Sequence, residues 1–196
     1  ALSDEVGMTT LAFMPRGFRH TTNNDGPLNT PDDLKGLKIR VAESSIYVDT
    51  FEAFGANPQS MAWGEVFTAL QQGTVDGHEN TIVTIRDYKI GEVQKYLSET
   101  GHMFGFAAIV TNPDFLASLP QEDQEIIRQA AIDAGRDVGA VQQEAEIQAK
   151  EELKAVGMEF NEVDKQAFID LMDPVYDKYF ETHDRKYFDA IKEAVK

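Results

Sequence analysis

The chain has 196 residues and is 42% hydrophobic, with 12 Phe and 6 Tyr, enough for one or two packed domains rather than a disordered segment. Its 18 basic and 34 acidic residues give a formal net charge of -16, which argues against nucleic acid and against an anionic membrane surface, because both need a basic face. It has no cysteine, which excludes disulfides, thiolate catalysis and Cys-ligated zinc.

Residues 1–16 hold a short apolar patch, Leu11-Ala12-Phe13-Met14, predicted as a strand closed by Pro15. Residues 20–36 are rich in Asn, Asp, Gly and Pro and predict loop, with Thr30 capping one helical turn opened by Pro31. A strand–helix alternation follows. Leu37–Ala42 is a strand, and Ser44 or Ser45 caps a helix carrying Val48, Phe51 and Phe54 and closed by Gly55. Gln59–Ala62 is a strand, Gly64–Gln72 a helix closed by Gly73, and Val75–Glu79 a strand. Such repeats with short joins imply parallel pairing, with ligands beyond the carboxyl ends of the strands.

Residues 82–100 are predicted mainly helical, and Phe104–Thr111 reads as a buried strand. Ser118 with Gln121 forms a capping box, from which a helix runs to about Val156, roughly 55 Å at about 1.5 Å per residue. That length is expected to bridge two lobes, and Gly135 and Gly139 could permit a bend. Met158–Val163 is an edge strand, and two helices complete the chain. No apolar run approaches the length of a membrane span, and no signal peptide is evident, so an exported protein would carry its signal outside this chain or have lost it.

The constellation that stands out is Arg40 at the end of a strand, with Asn80 just past the next strand–helix unit. An Arg fork fits both oxygens of a small carboxylate. At about 4 Å and an effective dielectric near 20 it supplies roughly 4 kcal/mol of gross attraction, while carboxylates beyond about 8 Å are largely screened. A structural ion pair with an acidic neighbour explains Arg40 equally well. Arg19 is a second cationic contact or a solvated loop residue. Trp63, the only tryptophan, either floors a pocket or is a partly buried core aromatic. Asp76, His78 and Glu79 fit no zinc signature. No nucleophile stands beside a base, so no residue is predicted to be catalytic, and no cofactor or metal is expected.

Taken together, Gly17-Phe18-Arg19, Thr21-Thr22-Asn23, Asp33–Val41, Phe54–Pro58, Glu65–Gly73, Val75–Asn80 and Glu92–Leu97 resemble the DctP-type periplasmic solute-binding proteins of TRAP transporters. The resemblance covers essentially the whole chain. It implies an α/β, two-lobed periplasmic-binding-protein-like fold with a long lobe-spanning helix. Residues 1–16 and 106–145 would be remnants of the first lobe, and residues 17–105 and 146–196 the second. The N-terminal portion that builds most of the first lobe in the family would lie outside this chain, leaving that lobe incomplete.

The resemblance further implies that Arg40 forms a bidentate salt bridge with the substrate carboxylate and that Asn80 helps to hold the same group. Arg19 would be a second ligand arginine, and Trp63 an aromatic wall of the interlobe cleft. Glu65 and His78 are possible ligand contacts; His78 stands where the family usually has Gln. The implied function is extracytoplasmic, periplasmic capture of an organic acid, a dicarboxylate or sugar acid among them. Hinge closure and delivery to TRAP membrane permease subunits would follow, without nucleic acid or membrane insertion. The alternatives are an organic-acid lyase or hydrolase using Glu79, His78 and Glu65, and a ligand-sensing interaction domain.

Overall fold

The computed structural model describes residues 7–194. Residues 1–6, assigned above to the first lobe, and residues 195–196, assigned to the second, lie outside the described residues. Six strands are hydrogen-bonded in the order β3-β2-β4-β1-β5-β6: β1 (Thr9–Asn23), β2 (Lys38–Val41), β3 (Asn57–Ser60), β4 (Gly77–Thr81), β5 (Tyr96–Thr111) and β6 (Glu159–Asn161). Strand β2 runs parallel to both β3 and β4, and β5 runs parallel to β6, as the strand–helix alternation predicts. The mixed α/β architecture and the long helix match expectation.

The chain divides into two compact units. Unit 1 comprises the residues up to His20, Asn80–Gly91 and Gly101–Met158; unit 2 comprises Thr21–Glu79, Glu92–Thr100 and the residues from Glu159 on. These limits differ from the predicted boundaries at 16/17, 105/106 and 145/146.

Unit 2 is built around β2. Ile39 and Val41 are fully buried and pack with Leu28, Leu34, Phe51, Phe54 and Phe168 into one apolar core. Helix α1 (Ser45–Ala53) lays Phe51 into that core, and Phe54, at its C-terminal cap, meets Phe168 edge-on at 4.9 Å. Gly55 then takes φ +85°, a conformation that favours glycine, and the chain turns into β3. Helix α2 (Val66–Gln71) follows a single 3₁₀ turn at Trp63–Glu65. The Pro31–Leu34 turn forms where Thr30 and Pro31 predict it; the Asp33 carboxylate accepts the N–H groups of Asn29 and Thr30 at 2.8 and 3.0 Å.

Four predicted elements differ. Thr21-Thr22-Asn23 is buried strand rather than loop: these polar side chains find partners inside the sheet, as in the 3.3 Å contact between Thr21 Oγ1 and Thr100 Oγ1. Residues 82–100 are helical only over α3 (Ile82–Asp87) and a 3₁₀ turn at Ile90–Glu92; from Tyr96 the chain is strand. The turn between is bridged by Asn24, whose side chain donates to the Val93 carbonyl and accepts the Lys95 N–H, both at 2.8 Å. Ser118 ends a separate short helix, α4 (Pro113–Ser118), capped by the Asn112 side chain, and donates back to the Phe115 carbonyl. Three helices close unit 2 instead of two: α6 (Lys165–Ile169), α7 (Asp173–Phe180) and α8 (Lys186–Ala194).

Unit 1 contains α3, α4 and the whole of α5 (Gln121–Ala155), a 35-residue helix. Gly135 serves close approach, since a Cβ there would stand 2.8 Å from the Phe13 carbonyl oxygen in β1, whereas one on Gly139 would make an ordinary contact with Pro15 at 3.6 Å. Arg86 of α3 reaches Glu152 of α5 at 3.6 Å. These contacts explain why α5 groups with unit 1 throughout. Along β5, Phe104, Phe106 and Val110 are exposed at alternate positions, so this strand is not buried on both faces as predicted.

Candidate ligand-binding site

The site grows from the carboxyl end of β2. Arg40 lies between two fully buried core residues, so its side chain leaves the opposite face of the strand. It is itself only 3% exposed. Its Nε donates to the Met61 carbonyl at 2.9 Å, and Nη2 donates to the same oxygen. The Met61 carbonyl follows β3, the parallel neighbour in which Gln59 pairs with Arg40. Two hydrogen bonds from one edge of the guanidinium to a backbone oxygen fix its plane. The guanidinium carbon lies 5.4 Å from the centroid of the Trp63 ring, a cation–π distance.

His78 is the register partner of Arg40 on β4 and is fully buried; its ring centroid lies 6.1 Å from that of Trp63, tilted by 36°. Its Nδ1 is 2.7 Å from Thr22 Oγ1, and Thr22 Oγ1 is 2.9 Å from Gln94 Oε1. Gln94 Nε2 donates to the carbonyls of Asp76 and Val93 at 3.3 and 3.2 Å, which turns Oε1 toward Thr22. The single Thr22 hydroxyl hydrogen therefore goes to Gln94, and the Thr22 oxygen accepts from His78, which fixes Nδ1 as the protonated ring nitrogen. A Cβ on Gly77 would collide with the Thr22 carbonyl oxygen and come within 3.0 Å of Ile39 Cδ1, so β4 approaches β1 this closely only with glycine beside His78.

Of the residues singled out in sequence, Arg40, Trp63 and His78 gather in unit 2. Glu65 is exposed at the end of the 3₁₀ turn, two residues beyond Trp63. Arg19 and Asn80 belong to unit 1. Arg19 lies in β1, not in a loop, and is half-buried. Asn80 is buried, and its Oδ1 accepts the Thr81 N–H at 2.9 Å. His78 and Glu79 are buried at successive strand positions, so their side chains leave opposite faces, and Glu65 is remote from them in sequence and exposed. His78 and Glu79 therefore do not form an acid–base pair on one face of the strand. Among the described residues no group of three or more His, Asp or Glu is placed to hold a metal ion, and no helix is long and apolar enough to cross a membrane.

Sequence reasoning missed Met61, whose contribution is a backbone carbonyl and has no side-chain signature. It also missed Thr22 and Gln94, which read as loop and helix. The polar Thr21-Thr22-Asn23 run, too costly to bury without partners, was the available signal.

The family model described as bacterial extracellular solute-binding protein, family 7 (DctP), matches residues 2–183. A solute-binding protein of Verminephrobacter eiseniae is 35% identical over 192 residues, which cover 97% of this chain and 57% of that protein. Three solved TRAP periplasmic solute-binding proteins superpose closely. That of Bordetella bronchispeptica, with density interpreted as pantoate, has a TM-score of 0.91 at 39% identity over 96% of this chain and 62% of its own. That of Chromohalobacter salexigens, with bound D-glucuronate, has 0.89 at 33% over 93% and 62%. That of Fusobacterium nucleatum, with bound sn-glycerol-3-phosphate, has 0.89 at 34% over 96% and 61%. The chain spans roughly three-fifths of the length of these relatives. All are named for solute binding rather than for catalysis. With residues 2–183 matched, the chain belongs to the DctP family of bacterial extracellular solute-binding proteins.

Proposed function

We propose that this chain is part of the extracytoplasmic, periplasmic substrate-binding subunit of a TRAP transporter, which captures an organic acid anion and delivers it to the membrane permease subunits without chemical change. The observation that carries this is the Arg40 guanidinium, anchored along one edge by the Met61 carbonyl and faced by Trp63. The anchored edge uses Nε and one hydrogen of Nη2. An Arg fork offers a carboxylate two parallel donors at the spacing of its oxygens. A carboxylate reaching so buried a cation leaves water with it, and the pair then attracts more strongly than it would at the surface. Relatives holding a sugar acid and a hydroxy acid support the ligand class. The sn-glycerol-3-phosphate relative shows that the fold also serves a phosphate ester, which an Arg fork can likewise bind. The family resemblance gives Asn80 and Arg19 ligand roles as well, each open to test by its own substitution.

The experiment is a calorimetric and thermal-shift titration of the full-length protein with D-glucuronate, pantoate and sn-glycerol-3-phosphate. A carboxylate at about 100 times its dissociation constant should add about 2.7 kcal/mol of stability. Arg40→Ala should weaken its binding by about 2–5 kcal/mol. Undiminished affinity in that variant would remove Arg40 from the site.

A further inference from the structure

His78 is too buried to present its ring to solvent, and its contacts run sideways along the sheet. On one side Nδ1 is tied through Thr22 to Gln94, and Gln94 ends on the backbone carbonyls of Asp76 and Val93. Thr22, Gln94 and His78 are each 3% exposed or less, so this chain of hydrogen bonds sits in the sheet, out of competition with water. On the other side the imidazole faces the Trp63 ring, and Trp63 faces Arg40. Trp63 needs such support. It stands in a single 3₁₀ turn whose neighbours Ala62, Gly64 and Glu65 are all exposed. An aromatic ring on such a turn loses rotamer freedom only where something rigid stops it.

We propose that His78 is the positioning residue of this site. Locked as the Nδ1–H tautomer by Thr22, it holds the Trp63 ring against the Arg40 guanidinium, whose plane the Met61 carbonyl fixes, in the arrangement that an anion meets. This deepens the carboxylate-capture reading and rests on it for its effect on affinity, while its effect on Trp63 is independent of any ligand. The side chain at position 78 then sets affinity without touching the anion. A residue that donates to Thr22 preserves the arrangement. An aliphatic one leaves the Thr22 oxygen without its donor and Trp63 without a flat wall.

The test uses the full-length protein with His78→Gln, His78→Leu and Thr22→Val, and with Trp63→Phe as the blank that isolates the Trp63 emission. Without ligand, His78→Leu and Thr22→Val should show red-shifted Trp63 emission and a higher acrylamide quenching constant. His78→Gln, which keeps an N–H for Thr22, should resemble the parent. With D-glucuronate or pantoate as probe, the first two should bind about tenfold more weakly, the worth of about one hydrogen bond of positioning, and His78→Gln nearly as the parent. Unchanged Trp63 emission and quenching in His78→Leu would overturn the proposal. Should the substituted proteins fail to fold, ¹⁵N resonances of the parent imidazole decide it: a protonated Nδ1 supports the proposal, and a neutral ring protonated at Nε2 overturns it. If no anion binds the parent, the capture reading fails, and the quenching data still settle the role of His78.

Discussion

Arg40 and Trp63 form one unit. The guanidinium carbon stands 5.4 Å from the ring centroid, and the carbonyl that anchors the guanidinium belongs to Met61, two residues before the ring. Anchor and wall are therefore set by one short stretch following β3, and the cation they hold comes from β2.

Arg40→Lys tests the geometry apart from the charge. An ammonium keeps the attraction but cannot bond the Met61 oxygen along a planar edge and hold two carboxylate oxygens in the same plane. Affinity for a carboxylate ligand should fall by about 1.5–3 kcal/mol, less than for the alanine variant, because a charge-assisted bond is lost but the cation remains. Calorimetry checks this; equal affinities for Lys and Arg would show that charge alone matters.

Trp63→Leu removes the ring from the cation. The expected loss of carboxylate affinity is about 0.5–2 kcal/mol, the range of a cation–π contact at this degree of burial. In the parent, Trp63 fluorescence should change as the ligand titrates, with the same midpoint as the calorimetric curve. A flat fluorescence titration beside a clear heat signal would place the ligand elsewhere.

Gly77→Ala should destabilise by about 1–3 kcal/mol, since the added methyl meets the Thr22 carbonyl oxygen and the Ile39 side chain in a filled sheet. Urea unfolding measures it. A stability equal to the parent's would mean that β4 and β1 can part at no cost.

Asp33 links stability to pH. The N–H groups of Thr30 and Asn29 hold its carboxyl below the ordinary range of an aspartate. A depressed folded pKa contributes stability that is present above the unfolded value and is lost as pH falls through the folded one. Asp33→Asn should therefore be less stable than the parent near neutrality, with the gap closing below about pH 3.8. Thermal unfolding across that range measures it; a gap independent of pH would assign the effect to shape rather than charge.

The parts of the fold legible in the sequence were those in which apolar period and punctuation agree. Helix α1 ran from Ser44 to a glycine stop at Gly55, β2 showed alternating Ile39 and Val41, and α5 ended at Gly157. Illegible parts were those in which polar residues are buried. Thr21-Thr22-Asn23 has the composition of a turn and the burial of a central strand, because its side chains are satisfied by residues distant in sequence. Of the candidate site, the strand-end position of Arg40 and the turn position of Trp63 were legible from local pattern. The His78–Thr22–Gln94 chain was not: no local rule brings residues 22, 78 and 94 together, and only the strand order does.

Each compact unit is assembled from three separate stretches of chain, and the backbone passes from one unit to the other five times, the last time between Met158 and Glu159. Neither can then be obtained by trimming an end: unit 1 lacks its last piece until Met158 has been made, and unit 2 until the residues beyond Glu159 have followed. A nascent chain emerging at about 5–20 residues per second must hold its early strands unfinished until then, so premature sticking of exposed Phe-bearing β5 is the hazard that this chain meets at birth.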